Sequence, residues 1–260
     1  MGRKDYSFLP EITDEDVFLL DRVSEWFTMS EEKHITRFSA FLDERQCELC
    51  RRLAASRGFG RYLLWGGYEG AERNMLGVFA PYDEMAAESF PLKGVTFSYR
   101  EADRLTHRDF LGALMSLELT RDSIGDIIVG SGRTMVFLRD TVEQDVLYSV
   151  EKIGRVGVSA EEGFRLSDIP KAEFKEITGF AASLRADCVL AIALGTSREK
   201  AARLIRSAGI AVDHIIKNSP DTKLSAGSSF SVRGYGKFLL KSIDGVSKKD
   251  RIHITVCKFV

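Results

Sequence analysis

Between Val95 and Val158 the sequence changes rhythm five times, and that order restricts the fold more than any other feature of the chain. Val95, Phe97 and Tyr99 alternate with polar neighbours, the period of a half-buried strand. Thr106 then stands three residues before Asp109, close to a capping box, and Phe110, Leu111, Leu114 and Met115 supply the apolar stripe of a helix that runs to Leu119. Asp126–Val129 and Thr134–Leu138 flank the turn residues Gly130-Ser131-Gly132-Arg133, which predicts a hairpin. Asp140 caps a second helix reaching to about Lys152, and Arg155–Val158 closes with a strand. The order β-α-β-β-α-β is the ferredoxin-like arrangement.

Around this block the pattern differs. Asp14–Phe27 places Val17, Leu20, Val23 and Phe27 at helical spacing. Phe38–Ala55 does the same with Phe41, Leu42, Leu49 and Leu53, until Arg57-Gly58-Phe59-Gly60 breaks it. Tyr62–Trp65 and Met75–Phe79 read as strands around Gly66-Gly67-Tyr68-Glu69-Gly70, and the polar Leu166–Ala182 reads as a connection. Beyond it come two helices, Arg185–Leu194 and Ser197–Ala208, separated at Gly195. Short strands follow at Ile210–Val212, Ile215-Ile216, Phe230–Val232 and Phe238–Leu240, with Ile252–Val256 as a further one. The predicted class is α+β in three parts: a helical region over 1–60, a ferredoxin-like domain over 61–165 and a small α+β domain over 183–260. RNA-recognition modules share the middle arrangement, but so do many unrelated proteins, so it fixes a fold and not a function.

Charge separates the parts. The 260 residues sum to a net charge of −1, yet residues 183–260 hold 14 Lys and Arg against 6 Asp and Glu, and the preceding residues hold 23 against 32. A basic module on an acidic body points to a polyanionic partner, with a solvated basic face as the plain alternative. No apolar run approaches the roughly 18 residues that a membrane-spanning helix requires, and Met1–Pro10 lacks the apolar core of a secretory signal. Four cysteines do not make a disulfide framework, so a cytoplasmic protein without a membrane partner is expected.

The helix predicted to begin at Ser197 concentrates that charge. Thr196, three residues before Glu199, has capping-box spacing. At about 100° per residue, Ala201, Leu204, Ile205 and Ala208 share one face, and Arg198, Arg203 and Arg206 the other, with Lys200 flanking them. Glu199 is the only acid between Arg198 and Arg206. Guanidinium forks match phosphate oxygens in pairs, so these four cations are the first candidates for phosphate contact.

The spacing that continues from this helix resembles the S-four domain, a small RNA-binding module of ribosomal proteins, pseudouridine synthases and some tRNA synthetases. Ser197-Arg198, Lys200, Arg203-Leu204-Ile205, Gly209, Val212-Asp213 and Val232-Arg233-Gly234 match its pattern, and Ser183-Leu184-Arg185-Ala186-Asp187 matches its start. Ala186 stands where Leu is usual, Asp213 where Asn is usual, and Ser228 where Asp is common; Asp213 brings an acid to the expected RNA face. Phe41-Leu42-Asp43-Glu44-Arg45, Gly66–Arg73, Thr106–Gly112 and Ile124-Gly125-Asp126-Ile127 resemble the YlmH family, which joins a helical N-terminal region, an RNA-recognition-like domain and an S-four domain. The resemblance implies a non-enzymatic, ribosome-associated protein that binds rRNA of the large subunit, with tRNA as a second candidate. It also implies links to the rescue of stalled nascent chains and to cell division. Arg185, Ser197, Arg198, Lys200, Arg203, Arg206, Lys217, Arg233 and Lys237 are the expected RNA-binding residues, and a monomer is expected.

Other constellations carry less. His107-Arg108-Asp109 imitates a kinase catalytic loop, but Leu114 stands where that loop needs Asn, so no catalytic residue is assigned. Cys47 and Cys50 form a C-x-x-C without two further ligands at short spacing, so neither metal nor organic cofactor is expected. One of these thiols should be buried and the other half-exposed. Gly66–Gly70 lacks a Walker ending. It either brings backbone close to RNA or a neighbouring domain, or turns a hairpin, and Tyr68 and Arg73 there are candidates to stack on or pair with RNA. Phe97 and Tyr99 are better read as core or interface aromatics than as base-stacking ones, because the Lys/Arg-Gly-Phe signature is missing. The rival function is an RNA-modifying enzyme that uses the S-four-like domain as a substrate clamp; residues 1–182 show neither a catalytic Asp motif nor a cofactor-binding Gly turn for it.

Overall fold

The structure, a computed structural model, describes residues 6, 9, 12–169, 174–213, 215–246 and 251–259. The chain divides into two compact units, Met1–Pro170 and Lys171–Val260. Its mixture of helices and antiparallel sheets is α+β, as the sequence implies.

The first unit starts with α1 (Asp14–Lys33), capped by Thr13 and Asp16 in a reciprocal box, followed by β1 (Arg37–Leu42), α2 (Glu44–Arg57), β2 (Tyr62–Trp65) and β3 (Asn74–Val78). The three strands form an antiparallel sheet in the order β1-β3-β2. Here the helical reading of residues 1–60 is corrected. Residues 37–42 are a strand, α2 starts only at Glu44 behind its Asp43 cap, and the strands at 62–65 and 74–78 belong with these N-terminal elements rather than with the ferredoxin-like sheet. One face of the sheet packs on α1 and α2 through Leu20, Val23, Phe27, Cys47, Leu49, Cys50, Leu53, Leu76 and Val78. Cys47 and Cys50 are both buried in this layer, against the expectation of one half-exposed thiol. Burial pushes the Cys47 thiol up to about 12 and raises that of Cys50 further, so both remain protonated near neutral pH.

The ferredoxin-like block follows: β4 (Leu92–Ser98), α3 (His107–Met115), β5 (Ile124–Val129), β6 (Arg133–Arg139), α4 (Asp140–Ser149), a small hairpin of β7 (Lys152–Ile153) and β8 (Val156–Gly157), and β9 (Ser159–Glu162). The sheet order is β5-β6-β4-β9, all antiparallel, with the block's first strand in the interior and its last at one edge. The closing strand is therefore Ser159–Glu162; Arg155–Val158 is taken up mostly by the β7–β8 hairpin. Helices α3 and α4 cover one face through Phe97, Phe110, Leu114, Val136, Leu138 and Val146.

The other face does not meet solvent. Phe137, Ile128 and Phe164 of this block join Phe41, Met75, Phe79, Phe38 and Trp65 of the first sheet in one aromatic layer, so the two sheets pack against each other. Gly66–Arg73 is the seam. A Cβ on Gly67 would lie 2.3 Å from the Phe137 ring, and one on Gly125 2.6 Å from Phe41, so the sheets approach only because those side chains are missing. The Asp126 carboxylate accepts hydrogen bonds from the Tyr68 hydroxyl at 2.7 Å and from the Glu72 and Arg73 backbone N–H groups at 2.8 and 3.0 Å. The Arg73 guanidinium donates to the carbonyls of Phe41, Arg121 and Ile124. Tyr68 and Arg73 are thus engaged inside the unit. Burial and the bond to Asp126 push the Tyr68 phenol well above its ordinary value.

The second unit contains β10 (Phe174–Ala181), α5 (Ala186–Ala193), α6 (Arg198–Ala208), β11 (Ile210–Val212), β12 (Ile215–Lys217), β13 (Ser229–Val232), β14 (Gly236–Val246) and β15 (Ile252–Phe259). They form a six-stranded sheet in the order β10-β15-β14-β13-β11-β12. The stretch read as a connection therefore contains an edge strand, β10, paired with β15 along its whole length. Both helices lie on the face carrying Phe230, Val232, Phe238, Leu240, Ile254 and Val256. At Gly179 a Cβ would meet Ile192 at 2.7 Å, which brings α5 down onto β10.

Candidate nucleic-acid interface

Helix α6 begins at Arg198 because the Ser197 hydroxyl accepts the Lys200 backbone N–H at 3.3 Å. Ser197, not Thr196, is the cap, and its oxygen works for the helix. Ala201, Ala202 and Ile205 are the buried side chains, Leu204 is half-buried and Ala208 is exposed. The packed face is therefore rotated from the expected one toward Ala202, away from Leu204 and Ala208.

That rotation changes the basic face. Arg198 lies on the same side as Ala202 and Ile205, and it reaches α5, where its Nε donates to the Asp187 carboxylate at 2.9 Å. The Arg185 fork donates to both oxygens of the same carboxylate at 3.2 and 3.1 Å and also pairs with Asp221. Asp187, buried on α5, thus partly neutralises Arg198 of the α6 face together with Arg185. Burial raises the Asp187 pKa, but the hydrogen bonds from Arg185 and Arg198 outweigh it and hold the carboxyl below its ordinary range. Arg198 is still 54% exposed. It is a positioned cation rather than a free one.

Lys200, Arg203 and Arg206 project to solvent from the rest of α6. Arg203 is 69% exposed, and its pair with Glu199, at 4.0 Å, is too long and too open to hold it. The structure thus brings together Arg185 and Arg198 around Asp187, with Lys200, Arg203 and Arg206 along the following turns. Arg233 is exposed in the β13–β14 turn. Lys217, on the edge strand β12, pairs opposite Ile210, the residue after the α6 C-cap. Lys237 is separated from this set. It alternates with Phe238 and Leu240 of the core face, so it leaves the sheet on the side away from the helices, with its ammonium 5.3 Å from the Phe259 ring centre.

Asp213 has a local role. Its φ of 47° is left-handed, a conformation that Asn and Asp tolerate best, and its carboxylate accepts the Ser229 N–H at 2.8 Å. The acid at the Asn position is thereby explained as a turn residue. Asp109 is likewise the capping partner of Thr106, whose hydroxyl and N–H both donate to its carboxylate. Phe97 is fully buried beneath Phe110, and the Tyr99 hydroxyl donates to the Gly130 carbonyl.

Asp187→Asn should show what the carboxylate does. Its folded pKa is depressed, so its contribution is complete above the unfolded value near 3.8 and disappears as pH falls through the lower folded value. Discounted for the exposure of both arginines, the substitution should cost about 1–2 kcal/mol at neutral pH. It should also flatten the acid end of the melting temperature against pH below about pH 4. A variant that melts with the same acid slope as the unaltered chain would show that the cluster contributes nothing.

A basic helix face on an antiparallel sheet in one unit, and a ferredoxin-like block in the other, are the layout of a modular RNA-binding protein. The model described as "Putative RNA-binding domain in YlmH" matches residues 87–165, the ferredoxin-like block. The chain is 29% identical over 247 residues to the "Ribosome-associated protein quality control protein P2" of Bacillus subtilis (strain 168), covering 93% of this chain and 94% of that protein. The solved "Cell division protein ylmH from Streptococcus pneumoniae" has the same fold, with a TM-score of 0.53 and 24% identity over 62% of this chain and 99% of the solved chain. The chain thus resembles YlmH-family RNA-binding proteins, in its ferredoxin-like block and along nearly the whole length of the Bacillus relative.

Proposed function

We infer that this protein binds structured rRNA on the large ribosomal subunit as a non-enzymatic component of ribosome-associated quality control. The observation that carries the RNA contact is the exposed line of Lys200, Arg203 and Arg206 on α6, backed by the positioned Arg185 and Arg198. The ribosomal setting rests on a relative of nearly equal length that is named for it. Ser197, Lys217, Arg233 and Lys237 are secondary: Ser197 as the helix cap, Lys217 and Arg233 at the margin of the face, and Lys237 on the far side of the sheet. The ferredoxin-like block supplies a second contact. Its sheet face is occupied by the N-terminal sheet, so that contact uses its edges and helix ends, where Arg104, His107 and Arg108 are exposed. A monomer acting in the cytoplasm, with tRNA as a further ligand, fits this reading. No helix is long and apolar enough to cross a membrane among the described residues.

Two weak contacts on one chain raise avidity by about 10²–10⁴ when geometry allows both. The test is sedimentation with purified ribosomal subunits. The full chain should travel with large subunits in moderate salt, and residues 171–260 alone should do so far more weakly. Protein that stays at the top of the gradient, or that prefers small subunits, refutes the assignment.

A further inference from the structure

Beside the basic face is a groove of about 340 Å³, the small end of the range that takes small ligands. Its floor is apolar, built from Leu194 at the end of α5 and Ala201 and Leu204 of α6. Lys200 and Arg203 stand at its rim, and Tyr235 lines it from the β13–β14 turn. Tyr235 is 42% exposed, and its hydroxyl forms no hydrogen bond among the described residues. The turn is built to present it: Gly234 and Gly236 on either side have φ of 86° and 96°, backbone that side chains disfavour, and the Tyr235 N–H closes back on the Val232 carbonyl at 3.0 Å. Leu204, half-buried at this groove, is left there by the rotation of α6 toward Ala202.

We propose that this groove receives one unstacked nucleobase from RNA held on the α6 face, with the base against Tyr235 and its phosphates on Lys200 and Arg203. The proposal rests on the RNA-binding reading above and specifies it. Cations at the rim and an aromatic wall over an apolar floor match the two halves of a nucleotide, an anion and a flat ring. An apolar peptide would meet two exposed cations at the same place. Phosphate contacts alone carry no sequence or shape information, whereas a base pocket selects RNA with a bulge or loop over continuous duplex.

The test compares a short RNA hairpin carrying a bulge with its fully paired counterpart, using the full chain and fluorescence anisotropy. Tyr235→Ala should weaken binding of the bulged hairpin by about 5- to 150-fold, the range for loss of one base–aromatic stack. Paired RNA and the salt dependence should be unaffected. Tyr235→Phe should retain the affinity. Ser207→Leu, which fills the groove from the exposed side of α6, should reproduce the loss with the ring intact. If the unaltered chain binds both RNAs and these variants lose nothing, or lose equally on both, the groove proposal is overturned and RNA binding stands. If the unaltered chain binds neither RNA, the RNA reading itself falls, and the groove proposal with it.

Discussion

Replacing Lys200, Arg203 and Arg206 together with alanine should lower affinity for structured RNA by about 100- to 1,000-fold and leave the melting temperature nearly unchanged. Each charge-assisted contact to phosphate contributes on the order of 1 kcal/mol or more, and three amount to roughly two to three decades. The salt dependence is the sharper readout. With about five neutralised phosphates the slope of log K against log salt is roughly −4, and each lost contact should reduce it by somewhat less than one. The triple variant should therefore fall to a slope of about −1.5, maintained by Arg185 and Arg198. Folding should not suffer, since all three side chains are exposed and the Arg203–Glu199 pair is marginal. An unchanged slope in the triple variant would mean that RNA binds elsewhere, with the exposed cations of the ferredoxin-like block as the next surface to test.

How far the sequence reveals this arrangement depends on the range of the interactions that decide it. The β-α-β-β-α-β order was legible because each element carries its own period, and α3 its own cap in the Thr106–Asp109 box; α4 starts behind Arg139 without a side-chain cap, so Asp140 is its first residue and not the cap expected of it. β1 was not. Phe38, Phe41 and Leu42 sit at helical spacing because the pairing of β1 with β3 shifts register between Phe38 and Phe41, and the bulge puts Phe41 and Leu42 both in the interior. β10 was missed for a different reason. It is an edge strand with Phe174 and Phe180 exposed, and what makes it a strand is pairing with β15, far away in sequence. At the candidate interface the cations were legible one by one, but their partner was not. Asp187 lies eleven residues from Arg198 and meets it only because α5 packs on α6.

The Gly66–Arg73 segment makes a related point about motifs. Its glycines, tyrosine and arginine look like parts of a ligand-binding loop, and each has a partner inside the unit: Phe137 over Gly67, Asp126 on Tyr68, and three carbonyls on Arg73. The chemistry expected of an RNA contact is spent on joining two sheets. The same seam closes the ferredoxin-like sheet face against bases.

Ile205→Ala should destabilise the second unit by about 2–5 kcal/mol and leave the first unit untouched. Ile205 is fully buried among Ala201, Val189, Leu190, Phe230 and Val232, so truncation removes transfer energy and leaves a cavity between α6 and the sheet. Domain stabilities lie near 5–15 kcal/mol, so a loss of this size is a large fraction of what holds the unit together. Leu204→Ala is the control. The residue is half-buried at the groove, where its neighbours are partly solvated, so the cost should be clearly smaller. Because the units are separate compact bodies, calorimetry of the full chain should show two transitions, with only the one from Lys171–Val260 shifted. RNA affinity measured well below that transition should be preserved in Ile205→Ala, since the cations are intact, and should collapse as the second unit melts. If Leu204→Ala costs more than Ile205→Ala, the orientation of α6 is wrong, and the assignment of Lys200, Arg203 and Arg206 to the open face fails with it.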